Sequence, residues 1–271
     1  MNKKKYISIP YQVWAVIFVL VPLGMVMYYG FTDTSGAFTL HNILQIADPE
    51  NSKALVLALL FSLISTLLCL LLAYPLAMIL QSISVSQTSF IVLLFILPMW
   101  MNFLLRTMAW QTLLEKNGII NLILNFFHLP NISIINTPYA IVFGMVYNFL
   151  PFMILPLYNV LVKIDKNVID AAHDLGANGF TTFWKVIFPL SLPGVISGIT
   201  MVFIPSLTTF VISDLLGGSK VLLIGNVIEQ EFKQGSNWNV GSGLSLVLMF
   251  FILISMLVMA VYDKEGEGTV L

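Results

Sequence analysis

Apolar residues in this chain are gathered into long runs instead of alternating or recurring along a single helical face. Six runs, at roughly 11–31, 54–80, 90–112, 138–162, 190–211 and 243–262, each approach or exceed the ~20 residues a helix needs to cross a hydrocarbon core about 30 Å thick. They predict six membrane-spanning helices joined by short connections, in one membrane domain over 1–271 with no soluble domain attached. Pro22, Pro75, Pro98, Pro151, Pro156, Pro193 and Pro205 lie within or at the ends of these runs. Each interior proline removes a backbone hydrogen bond, either as ordinary membrane-helix proline or, for Pro151 and Pro156, as a hinge beside a pathway. Gly194 and Gly198 form a small-xxx-small pair that permits close helix approach.

Composition supports lipid as the main solvent. Of 271 residues 58% are apolar and 9% are charged, against about 25% charged in a soluble domain. A net charge of −1 provides no electrostatic footprint for nucleic acid. A lone cysteine, Cys69, excludes a disulfide framework and a cysteine metal site. Lys3 to Lys5 before the first run look like a signal peptide, but the run is long and has no small-x-small cleavage site, so it reads as a retained first span. With six spans both termini share a side. That side carries seven basic residues (Lys3–Lys5, Lys163, Lys166, Lys185 and Lys264) and the other five (Lys53, Arg106, Lys116, Lys220 and Lys233), which places both termini in the cytoplasm.

The 163–189 connection differs from the others. Its sequence, KIDKNVIDAAHDLGANGFTTFWKVIFP, predicts two short helices. The first covers about 168–175, is capped by Asn167 with Asp170 as a capping-box analogue, and ends at a left-handed Gly176. Asn178 caps the second, in which Phe180, Phe183, Trp184 and Ile187 recur at helical spacing before Pro189. This aromatic face either packs on the protein's own helices and the lipid interface or docks a partner, with Phe183 and Trp184 as anchors and Ala171 and Ala172 giving clearance.

Asp170-Ala171-Ala172, three residues, Gly176, nine residues, then Val186-x-Phe188-Pro189 resembles the "EAA" loop of ABC importer permeases, usually Glu-Ala-Ala-x3-Gly-x9-Ile-x-Leu-Pro. The spacing agrees throughout, and Asp, Val and Phe replace Glu, Ile and Leu. The stretches LPMWMNFLLRTMAWQTLL (97–114), NFLPFMILPLYN (148–159) and SDLLGGSKVLLIGNVIEQEF (213–232) are similar to the B-type permease subunits of spermidine/putrescine importers. The resemblance implies an all-α membrane protein with the type I ABC importer permease (MetI-like) fold in a bacterial cytoplasmic membrane. It also implies that the 163–189 loop couples to an ATPase, with Asp170, Ala171, Ala172, Gly176, Phe183, Trp184, Val186 and Pro189 as the coupling residues. Expected partners are a homologous C-type permease, a pair of ATP-binding subunits and an extracytoplasmic polyamine-binding protein, besides membrane lipid.

No GxxxxGK[ST] loop occurs, so ATP and Mg would be bound by the partner ATPase and this chain needs no cofactor of its own. His41, His128 and His173 are far apart in the connections between runs and form no metal-binding pattern. Ionisable residues at the spans are few, namely Arg106 and, just past the fifth, Asp214, which disfavours an ion-coupled carrier. Asp214 is either a solvated loop acid or the carboxylate that attracts a polyamine. Trp100, Trp110, Tyr147 and Phe210 are either packing residues or rings that hold ammonium groups by cation–π attraction. Arg106 is expected to snorkel outward or to pair with an acid such as Glu115. The outer segments 115–137 and 212–242 either cap the bundle or form a landing surface for a binding protein. Alternative readings are an importer of the same superfamily for an inorganic anion, thiamine or iron, and a stand-alone carrier.

Overall fold

The computed structural model describes residues 9–82, 97–218, 220–233 and 237–267. The expected third span begins outside these residues, as do Lys3 to Lys5. Among the described residues five helical stretches are long and apolar enough to cross a membrane: Pro10–Phe31, Pro49–Gln81, Pro138–Leu161, Gly179–Thr208 and Trp238–Val261. In chain order the helices are α1 (Ile9–Ala15), α2 (Val21–Phe31), α3 (His41–Leu44), α4 (Pro49–Ser82), α5 (Phe103–Leu114), α6 (Ile119–Phe126), α7 (Pro138–Leu161), α8 (Lys166–Asp174), α9 (Gly179–Thr182), α10 (Phe188–Thr208), α11 (Val211–Gly217), α12 (Ile224–Lys233) and α13 (Trp238–Glu267). A π-helical turn, Val16–Leu20, joins α1 to α2 into the first span.

The core is the triangle of α4, α7 and α10. Small residues make it tight: Ala58, Cys69, Ala73 and Ala77 are fully buried on α4. On α10, Gly194 faces the Pro156 carbonyl and Val160, while Gly198 faces Met153, so close that a Cβ at Gly198 would overlap the Met153 sulfur. The small-xxx-small pair therefore marks the contact between α10 and α7, where dispersion and not water expulsion holds helices together. α13 packs on α2, α10 and α12, and its outer end is tied to the first span through amides. Asn239 Nδ2 donates to the carbonyls of Tyr29 (3.2 Å) and Thr32 (2.6 Å), and buried Asn42 donates to Thr32 at 2.8 Å. In the adjacent turn Asp33 accepts from the Ser35 hydroxyl at 2.6 Å and from the Ala37 amide at 3.0 Å. These hydrogen bonds, the Ser35 hydroxyl first, hold its carboxyl below the usual carboxylate range.

Two expectations are corrected here. The described part of the 90–112 run is not one uninterrupted helix. Leu97–Trp100 is a 3-10 turn, and a new helix starts at Phe103 because the Asn102 side chain caps it, accepting from the amides of Leu104 (2.9 Å) and Leu105 (3.3 Å). The fifth span does not begin near 190 either. α9 runs through the π-helical turn Phe183–Ile187 straight into α10. Pro189 offers no amide to the Lys185 carbonyl, and the wider turn, closed by Phe188 N–H on the Phe183 carbonyl, accommodates that loss without ending the helix.

Arg106 neither snorkels nor pairs with Glu115. It is 6% exposed, and its Nε donates to Asn148 Oδ1 at 2.8 Å while Nη1 donates to the Pro98 carbonyl at 2.6 Å. Asn148 is anchored in turn by donating to the Gly144 carbonyl at 2.8 Å. The guanidinium thus clamps the 97–102 break onto α7. Arg106→Met should leave one buried and one part-buried acceptor unpaired and destabilise the protein by about 2–3 kcal/mol, read as a lower thermal unfolding midpoint in detergent. An unchanged midpoint would show that the clamp carries no stability.

Candidate functional site

The 163–189 segment projects from one end of the bundle. Asp165, not Asn167, is the cap of α8: its carboxylate accepts from the Asn167 amide at 2.9 Å. The helix therefore starts at Lys166, two residues before the predicted position. The sequence reading preferred asparagine and overlooked an equally good acid one turn position earlier. The C-terminus is a Schellman motif: the Gly176 amide donates to the His173 carbonyl at 2.8 Å and the Ala177 amide to Ala172 at 3.0 Å, with Gly176 at φ +83°. Asn178 then caps α9 by accepting from the Thr181 amide at 2.8 Å.

These two caps fold the loop back on itself, so that α8 contacts α9 and the π turn. Asp170 and Ala171 are exposed on α8, Ala172 and Val186 are half-buried, and Pro189 is exposed at the start of α10. The aromatic face divides instead of acting as one surface. Phe183 turns inward, its ring 5.4 Å edge-on from Tyr74 of α4, and the Tyr74 hydroxyl shares a 2.6 Å hydrogen bond with Ser191 of α10. Ile187 is half-buried, whereas Phe180 is 74% and Trp184 49% exposed. Phe183 and Ile187 therefore pack on the protein's own helices, which corrects the expectation of Phe183 as an outward anchor, and Phe180 and Trp184 face outward. The sequence reading missed Leu175, which is 89% exposed beside the Schellman turn. The visible signal was Val168, Ala171, Ala172 and Leu175 at i, i+3, i+4 and i+7 on α8.

At the opposite end the pathway candidates separate into three groups. Trp110 and Tyr147 come together, with ring centroids 5.1 Å apart, and Trp110 also meets Phe143 at 4.7 Å. The Arg106 guanidinium lies 5.8 Å from the centre of the Tyr147 ring, so that ring already holds a cation. Phe210 and Asp214 stand one helical turn apart at the start of α11, which packs against α5 and α7. Asp214 is exposed. Phe210 borders a 420 Å³ cavity with Glu229 and Phe232. Trp100 is 76% exposed in the 3-10 turn and apart from both groups.

The outer segments are ordered by buried amides that sequence reasoning did not single out. Asn226 Oδ1 accepts from Ser213 Oγ and from the Leu223 amide, and its Nδ2 donates to the Phe210 carbonyl at 3.1 Å. Asn121 bridges the Glu115, Lys116 and Ile132 carbonyls and accepts from the Ile132 amide. α6 does not cap the bundle with its apolar side, since Ile119, Leu122, Ile123 and Phe126 point outward.

Residues 6–264 match the family of binding-protein-dependent transport system inner membrane components. This chain belongs to that family. It is 38% identical, over 92% of its length and 89% of the relative's, to the spermidine/putrescine transport system permease protein PotB of Haemophilus influenzae. It is also 38% identical to the Escherichia coli protein of the same name, over 90% of this chain and 92% of that one. Its fold matches a chain of a bacterial ABC transporter involved in the import of the acidic polysaccharide alginate, with TM-score 0.77 at 14% identity over 98% and 96% of the two chains. A second crystal structure, of a bacterial alginate ABC transporter in complex with a periplasmic protein carrying an alginate pentasaccharide, matches with TM-score 0.78 at 13% identity over 94% and 91%. The permease is thus a multi-pass inner membrane protein with the ABC importer permease fold.

At Gly176 a Cβ would meet nothing within 4 Å, so substitution there strains only the backbone, by about 1–2 kcal/mol for an ordinary L-residue. The thermal unfolding midpoint in detergent should fall in the order Asn, Ala, Val at this position, with membrane insertion unchanged. Asparagine as damaging as valine would mean that the left-handed turn does not select glycine here.

Proposed function

We propose that this permease is one half of the translocation pathway of an ATP-driven importer for spermidine or putrescine, paired with a homologous C-type permease above two ATP-binding subunits. The observation that carries the reading is the loop itself. A doubly capped segment with the family's spacing presents Leu175, Phe180 and Trp184 outward at the end of the bundle that the lysine asymmetry assigns to the cytoplasm. Exposed apolar side chains of this size on a water-facing segment favour a protein partner. ATP and Mg would bind that partner, and this chain would contribute shape and coupling and no covalent chemistry.

Coupling follows from the contacts behind the loop. Gly179–Thr208 is one continuous helical stretch, so a push on its exposed end moves α10 as a lever. Phe183 transmits the same displacement to Tyr74, whose hydroxyl is joined to Ser191, and α4 and α10 then move together against α7. Alternating access is this displacement, driven by closure of the ATPase pair beneath α8 and α9. Both termini lie on the ATPase side in this arrangement, and an extracytoplasmic polyamine-binding protein delivers cargo at the other end.

The cargo assignment is supported by the relatives named for spermidine and putrescine, each matched over about nine-tenths of this chain. Asp214 and Phe210 are the better pathway candidates, because Tyr147 is already occupied by Arg106 and Trp110 is packed between two rings. ATP-dependent uptake of labelled spermidine into vesicles holding the assembled transporter should require this chain. Asp214→Asn should reduce uptake at limiting spermidine about two- to fivefold, the loss of one exposed charge contact. Unaltered uptake returns Asp214 to a solvated loop acid. Absence of spermidine uptake from a complex that still hydrolyses ATP overturns the cargo.

A further inference from the structure

Two cavities at the end of the bundle away from the coupling loop adjoin one another. A cleft of about 490 Å³ lies between the start of α4, the 220–222 segment and α12, lined by Glu50, Lys53, Lys220 and Glu231. An apolar groove of about 760 Å³ runs down between α4 and α7. Phe61 and Pro138 line both, so the polar cleft borders the head of the groove. Among the described residues the only ion pair is Lys233 with Glu229. The four charges lining the cleft are therefore not paired with one another.

We propose that the cleft and groove together form a binding site for one phospholipid with a zwitterionic, primary-amine headgroup. Lys53 and Lys220 take the phosphate, Glu50 and Glu231 accept from the ammonium, and an acyl chain lies along Leu68 and Leu71 of α4 and Val142 and Val146 of α7. The charge set selects this occupant. Two cations and two carboxylates balance a zwitterion, whereas an anionic headgroup would leave both carboxylates facing phosphate without an ammonium. A free polyamine would meet two lysines and has no use for a groove lined by apolar side chains. A water-soluble binding protein reaches the cleft but not the groove. The site ties α4 to α7 on the side away from α10 and is independent of the cargo transported.

Native mass spectrometry of the complete transporter, after exchange into nanodiscs of phosphatidylethanolamine, phosphatidylcholine or phosphatidylglycerol, tests this. The expected result is one retained phosphatidylethanolamine per copy of this chain, in preference to the other two lipids. Retention should fall about tenfold in Lys53→Ala/Lys220→Ala, which removes both phosphate contacts, and in Leu71→Trp, which fills the groove and leaves every charge in place. Glu231→Gln should abolish the preference over phosphatidylcholine. Preference for phosphatidylglycerol, no retained lipid, or retention unchanged from the native chain in the Lys53/Lys220 or the Leu71 variant would overturn the proposal. So would cross-linking of Leu68→Cys to the partner permease, which would make the groove a protein interface.

Discussion

A chain dissolved in lipid has no water to satisfy a carbonyl or amide freed from a helix, and the architecture of this permease follows from how it meets that constraint. At four places where the described backbone leaves helical geometry near the apolar region, a buried polar side chain closes the gap. Asn42 holds the end of the first span, Asn121 the 115–132 turn, Asn226 the joint between α10 and α12, and Arg106 with Asn148 the 97–102 break. Asparagine suits this role because one amide group donates twice and accepts twice. Arg106 is the costliest of these solutions, since a guanidinium in a low-dielectric site is tolerated only when its donors are used.

The two ends of the bundle apply the same physics for different purposes. At the outer end the buried amides fix short helices over the bundle. At the other end the caps of α8 and α9 give a loop with no core of its own a defined shape, and its apolar side chains are divided between holding the loop to the bundle and facing outward. Phe183 does the first through Tyr74, while Leu175, Phe180 and Trp184 do the second. A segment of defined shape, attached to two core helices and apolar on its free face, is suited to transmit force, as the proposed importer driven by a separate ATPase requires.

Much of this was legible in the sequence. Run length gave five of the spans, because the hydrocarbon thickness leaves helices little choice, and Gly194 and Gly198 marked α10 as a closely packed helix without naming α7 as its partner. Gly176 and Asn178 were readable because left-handed geometry and helix caps are local properties of one or two residues. What escaped were features that depend on a distant partner. Asn148 is 42 residues from Arg106, and no spacing rule links them, so Arg106 was assigned to the surface or to Glu115. The division of the aromatic face was hidden for the same reason, since only Tyr74 determines which ring turns inward. The break at Met101 and Asn102 was overlooked because hydropathy averages over a cap that a single asparagine creates.

The role of the loop as the point where force enters is tested most directly by site-specific photo-crosslinking in the assembled transporter. A photoreactive residue at Leu175 should capture the ATP-binding subunit, and one at Phe127, exposed at the other end of the bundle, should not. Failure of the Leu175 probe to reach the ATPase while the two still co-purify would contradict the assignment of this segment as the coupling element.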